Sequence, residues 1–266
     1  MKSGSSTAFI AAEDPSLSGA RAATMLKGIF FDVDDTLFST TQFAERARRN
    51  GINAMIQMGL RVDPDEAFVE LGDVIAEFSS NYGNHYDKFL NRLPRSASAG
   101  LNPSLLVAAA VVAYHETKFR ELSAYEDVVT CMRMMATKPL MMGVITAGLR
   151  VKQAEKIIRL GIWRYVDPRA VFITDEVGIG KPNPKLYLRA CETMGLDPQE
   201  CMYVGDHPLH DIDPANKIGM VTVWNQREGR HLGVRGKTRP NYVIFNFWDL
   251  IAILQKDYGF DFGVVL

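Results

Sequence analysis

From residue 41 to about 124 the chain shows helical periodicity and no segment that reads as a strand. This stretch of about 80 residues comes almost directly after a short apolar run, GIFFD at residues 28–32. The run has the unbroken hydrophobic character of a parallel strand buried on both faces. An insert of that length is too long for a loop and has to fold as a module. The chain therefore begins a sheet, leaves it for a helical body, and must return to complete it.

The return is legible. Helix 125–136 precedes the apolar strand 140–146. Helix 151–160 stops at Gly161, strand 171–174 comes next, and helix 184–194 stops at Gly195. Strand 201–205, a short helix 213–218, strands 221–224 and 243–245, and a last helix 248–256 complete the order. Strands alternating with helices argue for βαβ units and a largely parallel sheet. Within the insert, Phe43, Ala47, Ile52, Ala54, Met55 and Met58 fit one helical stripe, with an adjustment expected near Gly51. Asp63-Pro64 and Asn102-Pro103 read as N-cap and first helical position of helices 64–79 and 104–119. The insert leaves the sheet just past the end of the first strand, the edge where ligands bind in open α/β sheets.

Residues 1–24, rich in Ser, Ala and Gly, differ in character from the rest of the chain. We expect a leader that is disordered or foreign to the folded body, with Met25 as the natural start. The formal net charge of −1 gives no electrostatic case for nucleic acid or an anionic membrane. The longest apolar run, residues 105–114, falls short of the about 20 residues a transmembrane helix needs. Cys131, Cys191 and Cys201 lack zinc-like or redox-like spacing, which points to reduced structural thiols and a cytoplasmic protein.

Four polar clusters sit just after expected strands: Asp32-Val33-Asp34-Asp35-Thr36, Thr146-Ala147-Gly148, Gly180-Lys181-Pro182-Asn183-Pro184, and Gly205-Asp206 through Asp211. If these strands are parallel, the clusters converge at one sheet edge. Alternation along an extended segment puts Asp32 and Asp34 on the same side. With Asp206 they offer a hard oxygen site suited to Mg²⁺. Lys181 adds a compact positive charge and Thr146 a hydroxyl donor. Crowded carboxylates would repel an incoming phosphate; a cation and a lysine remove that obstacle.

FDVDDTL, VITAG, GKPNPKLY and YVGDHPLHDI, in that order, resemble the four motifs of the haloacid dehalogenase superfamily. The resemblance runs from about Lys27 to Trp224 and is specific to the branch with a helical cap after the first motif, particularly its small-molecule phosphatases. It implies an α/β fold: a Rossmann-like three-layer core (residues 25–40 and 125–266) with a mostly parallel sheet, plus an all-helical cap (41–124). It implies an Mg²⁺-dependent phosphohydrolase acting on small phosphate monoesters such as sugar or triose phosphates. Asp32 is then the nucleophile that forms an aspartyl-phosphate, and Asp34 the acid and base. Asp32, the Asp34 carbonyl and Asp206 hold the metal. Thr146, Ala147 and Lys181 bind the phosphoryl group, and Asp211 supports Lys181. The alternatives are a 2-haloacid dehalogenase, whose first motif typically lacks the second aspartate, a phosphomutase, and a catalytically idle binding protein. The expected partner is a small phosphate ester, without nucleic acid or membrane, on a monomer or homodimer. Two departures stand out: Ala147 where the branch commonly has Asn, and Pro208 with His207 and His210 in the fourth motif.

Other residues carry plainer expectations. Asp35 and Thr36 support the first loop, and Asn183 caps the helix after Pro184. Pro208 breaks any helix around His207 and His210, which face solvent as loop histidines. Tyr82, His85, Tyr86 and Phe89 form a polar-aromatic cluster that, with Arg92 and Arg95, either packs within the cap or lines the substrate entrance.

Overall fold

The computed structural model describes residues 25–227, 231 and 233–263. The expected leader, residues 1–24, lies outside the described residues. Six strands form one sheet in the order β3-β2-β1-β4-β5-β6. They are β1 Gly28–Phe31, β2 Met141–Thr146, β3 Val171–Ile173, β4 Cys201–Gly205, β5 Val221–Asn225 and β6 Tyr242–Ile244. Every pairing is parallel, and Gly28 of β1 lies opposite Met141 on one side and Cys201 on the other.

Alternation along β1 builds the layers. Ile29 and Phe31 enter one apolar cluster with α5 (Glu126–Met135), α10 (Phe247–Tyr258) and Ile157 of α6 (Arg150–Arg159). Phe30 enters the opposite cluster with α8 (Pro184–Met194) and Ala215 of α9 (Asp213–Lys217). The core is thus a Rossmann-like sheet between two helical layers. A one-turn helix, α7 (Thr174–Val177), comes directly after β3.

The insert consists of α1 (Thr40–Gln57), α2 (Pro64–Phe78), α3 (His85–Arg92) and α4 (Pro103–Glu121). It has its own buried cluster, with Ile52, Met55, Leu71, Val74, Phe89 and Leu106 inside. Asp63 caps α2 through the Asp65 and Glu66 N–H groups, and Asn102 caps α4 through Ser104 and Leu105, as their Pro-flanked signals led us to expect. The first turns of α1 face the sheet domain instead: Phe43 and Ala47 pack with Leu37 and Phe38. The chain's two crossings between the bodies lie side by side, where the Tyr125 N–H donates to the Leu37 carbonyl at 3.0 Å.

One expectation about the insert needs correction. The helix α1 runs through Gly51 without adjustment. Gly51 is there for closeness: a Cβ would stand 2.9 Å from Tyr86 Cζ and 3.2 Å from the Ala110 carbonyl oxygen, where α1 meets α3 and α4. Gly51→Val should therefore cost about 1–3 kcal/mol of stability through overpacking. A urea unfolding midpoint equal to that of the parent protein would refute this account. Residues around Tyr86 form a helix, α3, whose bounds the sequence pattern did not mark out. Its N-cap Asn84 makes no side-chain cap bond, and only Phe89 is fully buried. Arg92 belongs to the cap surface, paired with Glu70 at 3.2 Å and Glu77 at 2.5 Å. Among the described residues no helix is long and apolar enough to cross a membrane.

Candidate active site

Asp32 comes just after β1, Thr146 ends β2 and Asp206 comes just after β4. The register puts Val144 and Val204 opposite Phe31, so all three polar residues leave the sheet at one edge. The Asp32 N–H donates to the Val204 carbonyl at 2.9 Å, which extends the strand pairing into the loop. Lys181, from the loop before α8, donates to Asp32 Oδ1 at 2.5 Å, to Asp211 Oδ1 at 2.7 Å and to the Tyr203 hydroxyl at 2.7 Å. Its side chain is only 5% exposed. Asp32, Asp206 and Asp211 each place a carboxylate oxygen within 4.8 Å of the others. The structure thus brings together Asp32, Lys181, Asp206 and Asp211, residues far apart in the chain.

Asp211 owes its place to two local features. A Cβ on Gly205 would stand 2.6 Å from the Asp211 carboxyl carbon, so only glycine lets that side chain fold back under β4. Pro208, expected to break a helix, instead opens the helical turn Pro208–Ile212. Proline is tolerated there because the N–H it lacks has no partner in a first turn. His207 Nδ1 caps that turn by accepting from the Leu209 N–H at 3.2 Å. Asp211 Oδ2 then accepts from the His207 N–H at 3.0 Å, and Tyr203 Oη lies 3.1 Å from both Asp211 Oδ1 and the Ile145 carbonyl.

Charge is poorly balanced in this pocket. Burial pushes Asp206 up to about 9, with Asp211, Asp32 and Asp35 adding to the effect. Burial likewise raises Asp32 to about 7, against the pull of Lys181. Burial alone would lower Lys181, but Asp211 and Asp32 outweigh it and hold the ammonium well above its ordinary value. Asp206 Oδ2 and Thr146 Oγ1 are buried with no hydrogen-bond partner. Three carboxylates against one ammonium, with an orphaned carboxylate oxygen, fit a hard divalent cation. The orphaned Thr146 hydroxyl fits an anionic oxygen.

Asp34 sits apart from this cluster, bound to donors the sequence did not suggest. Lys156 Nζ donates to Asp34 Oδ1 at 2.6 Å and to Oδ2 at 2.8 Å. Gln153 Nε2 donates to Oδ2 at 3.0 Å, and Thr40 Oγ1 to Oδ1 at 2.6 Å. Burial raises the Asp34 carboxyl, but Lys156 and these hydrogen bonds outweigh it and hold its pKa below the ordinary value. Ala147 is exposed, and its carbonyl accepts from Gln153 Nε2 at 2.8 Å.

The supporting residues are also in place. Asp35 accepts from the Thr41 N–H and hydroxyl, the Thr36 hydroxyl lies 3.4 Å from Asp32 Oδ2, and Asn183 caps α8. The end of β5 pins two loops: Trp224 Nε1 donates to the Asp206 carbonyl at 2.9 Å and Asn225 Nδ2 to the Thr36 carbonyl at 3.1 Å. His210 is exposed as expected, but His207 is half-buried. Its ring centroid lies 4.0 Å from those of His210 and His231. His231 Nε2 stands 3.7 Å from Asp206 Oδ2. Sequence reasoning missed Lys156, Gln153 and Tyr203. In the chain the first two are ordinary polar helix residues and the third an ordinary strand aromatic.

A family model described as haloacid dehalogenase-like hydrolase matches residues 26–219. A protein from Methanopyrus kandleri named glyceraldehyde 3-phosphate phosphatase is 46% identical over 87% of this chain and 98% of its own length. A protein of the same name from Pyrococcus furiosus is 38% identical, over 89% of this chain and 96% of its own. Among solved structures, a phosphatase of the same superfamily from Thermococcus onnurineus superposes with a TM-score of 0.62 at 23% identity, over 86% of this chain and 97% of that one. A 2-haloacid dehalogenase from Pseudomonas syringae superposes with a TM-score of 0.58 at 23% identity, over 87% of this chain and 99% of that one. These two likenesses speak for the fold alone, since it carries both named activities. The family model and the sequence matches over most of its length establish that the chain belongs to the haloacid dehalogenase-like hydrolase family.

Proposed function

We propose that the chain is a phosphatase of small phosphate monoesters, with a triose phosphate such as glyceraldehyde 3-phosphate as its preferred class of substrate. The observation that carries this reading is the buried set Asp32–Lys181–Asp211, with Asp206 Oδ2 and Thr146 Oγ1 left without a hydrogen-bond partner beside it. The names and identities of the curated relatives support the substrate class.

In this reading Asp32 attacks phosphorus and forms an aspartyl-phosphate. Lys181 stabilises charge on the nucleophile and the phosphoryl oxygens, and Asp211 with Tyr203 holds Lys181 in place. Thr146, with backbone around Ala147, receives a phosphoryl oxygen. Asp34 protonates the departing oxygen and then takes a proton from the hydrolytic water. Asp32, Asp206 and the Asp34 carbonyl would hold Mg²⁺, which when bound supplies the charge neutralisation that lets phosphate approach carboxylates. The helices α1–α4 act as a cap over the sheet edge and limit the substrate to a small ester. A cytoplasmic protein, monomeric or homodimeric, completes the reading; buried cysteines free of disulfides are compatible with it.

A phosphate-release screen with Mg²⁺ and with EDTA tests the proposal. Triose phosphates should be hydrolysed with Mg²⁺ and spared in EDTA, with hexose phosphates slower. Consumption of 2-chloropropionate in EDTA, with phosphate esters untouched, would make the protein a dehalogenase instead.

A further inference from the structure

The group assigned the proton transfers is the one held most firmly by residues without an assigned part. All four hydrogen bonds to the Asp34 carboxylate come from Lys156, Gln153 and Thr40, and two of them from the Lys156 ammonium. Lys156 is itself largely covered, with 19% of its side chain exposed, and lies over the Phe38 ring. Gln153, one turn earlier on α6, is buried and also ties down the carbonyl of Ala147, next to Thr146. Helix α6 thereby links the loop after β2 to Asp34. Glu155, the chain neighbour of Lys156, pairs with Lys118 of the cap helix α4, so the same helix is tied to the insert.

We propose that Lys156, assisted by Gln153, is the positioning residue for Asp34: it sets where the carboxyl group stands when protons pass. This rests on the phosphatase reading above. In the first half-reaction an Asp32 oxygen bonds phosphorus as the ester O–P bond breaks, the electron pair of that bond goes to the leaving oxygen, and that oxygen takes a proton from Asp34. In the second, water gives a proton to Asp34 as its oxygen bonds phosphorus and the Asp32–phosphorus bond breaks. A nitrophenolate leaves without a proton, so an aryl ester needs Asp34 only in the second half-reaction. An alkyl ester needs it in both.

The test is Lys156→Met in the full chain with saturating Mg²⁺, studied by rapid-quench kinetics. With p-nitrophenyl phosphate the variant should release about one equivalent of nitrophenolate in a fast burst and then turn over slowly. Its kcat should fall about 10–100-fold, within the range general acid–base groups command, and KM should fall in step, leaving kcat/KM near that of the parent because the first half-reaction is untouched. With glycerol phosphate there should be no burst and a larger loss. Lys156→Arg should recover part of the rate. Parent-like rates on both esters overturn the assignment. So does a burst that slows in step with steady turnover in a variant that melts like the parent. If Lys156→Met fails to fold, Gln153→Met carries the same readouts. A parent protein that releases phosphate from no ester defeats the phosphatase reading and this role with it. An active parent with an unaffected variant defeats the role alone.

Discussion

Asp32→Asn is expected to abolish phosphate release, lowering kcat by a factor on the order of 10⁵–10⁶, the size of loss found when a covalent nucleophile is removed. The amide keeps the shape of the carboxylate and an oxygen for Lys181 to donate to, so the pocket geometry should survive. What it loses is the anionic oxygen that attacks phosphorus. Stability should move little, and in the direction opposite to activity. Burial already pushes the Asp32 carboxyl up to about 7, so in metal-free protein at alkaline pH a neutral group relieves repulsion from Asp211 and Asp34. Lys181 retains Asp211 at 2.7 Å as its counter-ion, so the variant does not strand a buried ammonium. Two measurements decide: steady-state phosphate release, and a thermal melt without metal at pH 8. A variant that keeps more than about 1% of parent turnover would place the nucleophile elsewhere. A melt lowered by more than a few degrees would mean that Asp32 is chiefly structural.

Much of this pocket could be read from the chain, for a reason specific to parallel sheets. Strand ends announce themselves as apolar runs that give way to polar clusters, and parallel order sends every such end to one edge. Asp32, Thr146 and Asp206 needed nothing more. The bounds of α8 and β4 also matched expectation, because Asn183-Pro184 and Gly195 punctuate the helix sharply and the strand is apolar up to Gly205. What stayed hidden depends on helix rotation and on contacts between distant segments. Lys156 and Gln153 look like solvated helix residues until Ile157 turns inward and commits the rest of α6 to face Asp34. Gly51 read as a weak point because close helix packing and a helix break call for the same residue. Helix α3 escaped because it is only eight residues long and buries Phe89 alone, too short to show a helical stripe. Pro208 misled because its effect on a helix depends on whether it sits in the first turn or later.

Magnesium should stabilise the protein more at high pH than at low pH, and removing it should abolish phosphate release. The sign comes from the carboxyls in the pocket. In the unfolded chain Asp32 and Asp206 titrate at 3.8, whereas in the folded, metal-free protein burial and repulsion from neighbouring carboxylates raise them to about 7 and about 9. Between these values the folded state binds more protons than the unfolded one, so stability falls as pH rises, by about 1.4 kcal/mol per unit for each retained proton. A divalent cation displaces those protons and supplies the missing positive charge, so its contribution grows as they become costly to keep. Below about pH 5 protons already occupy the carboxyls, and cation binding must compete with them. Saturating Mg²⁺ should raise Tm several degrees more at pH 8.5 than at pH 5.5, since a chain of this size shifts by about 2 °C per kcal/mol. Asp206→Asn should lose most of this metal-dependent gain, while its metal-free form should be less sensitive to alkaline pH than the parent. A gain in Tm equal at both pH values, or one that Asp206→Asn retains, would show that the orphaned Asp206 oxygen is not where the cation binds.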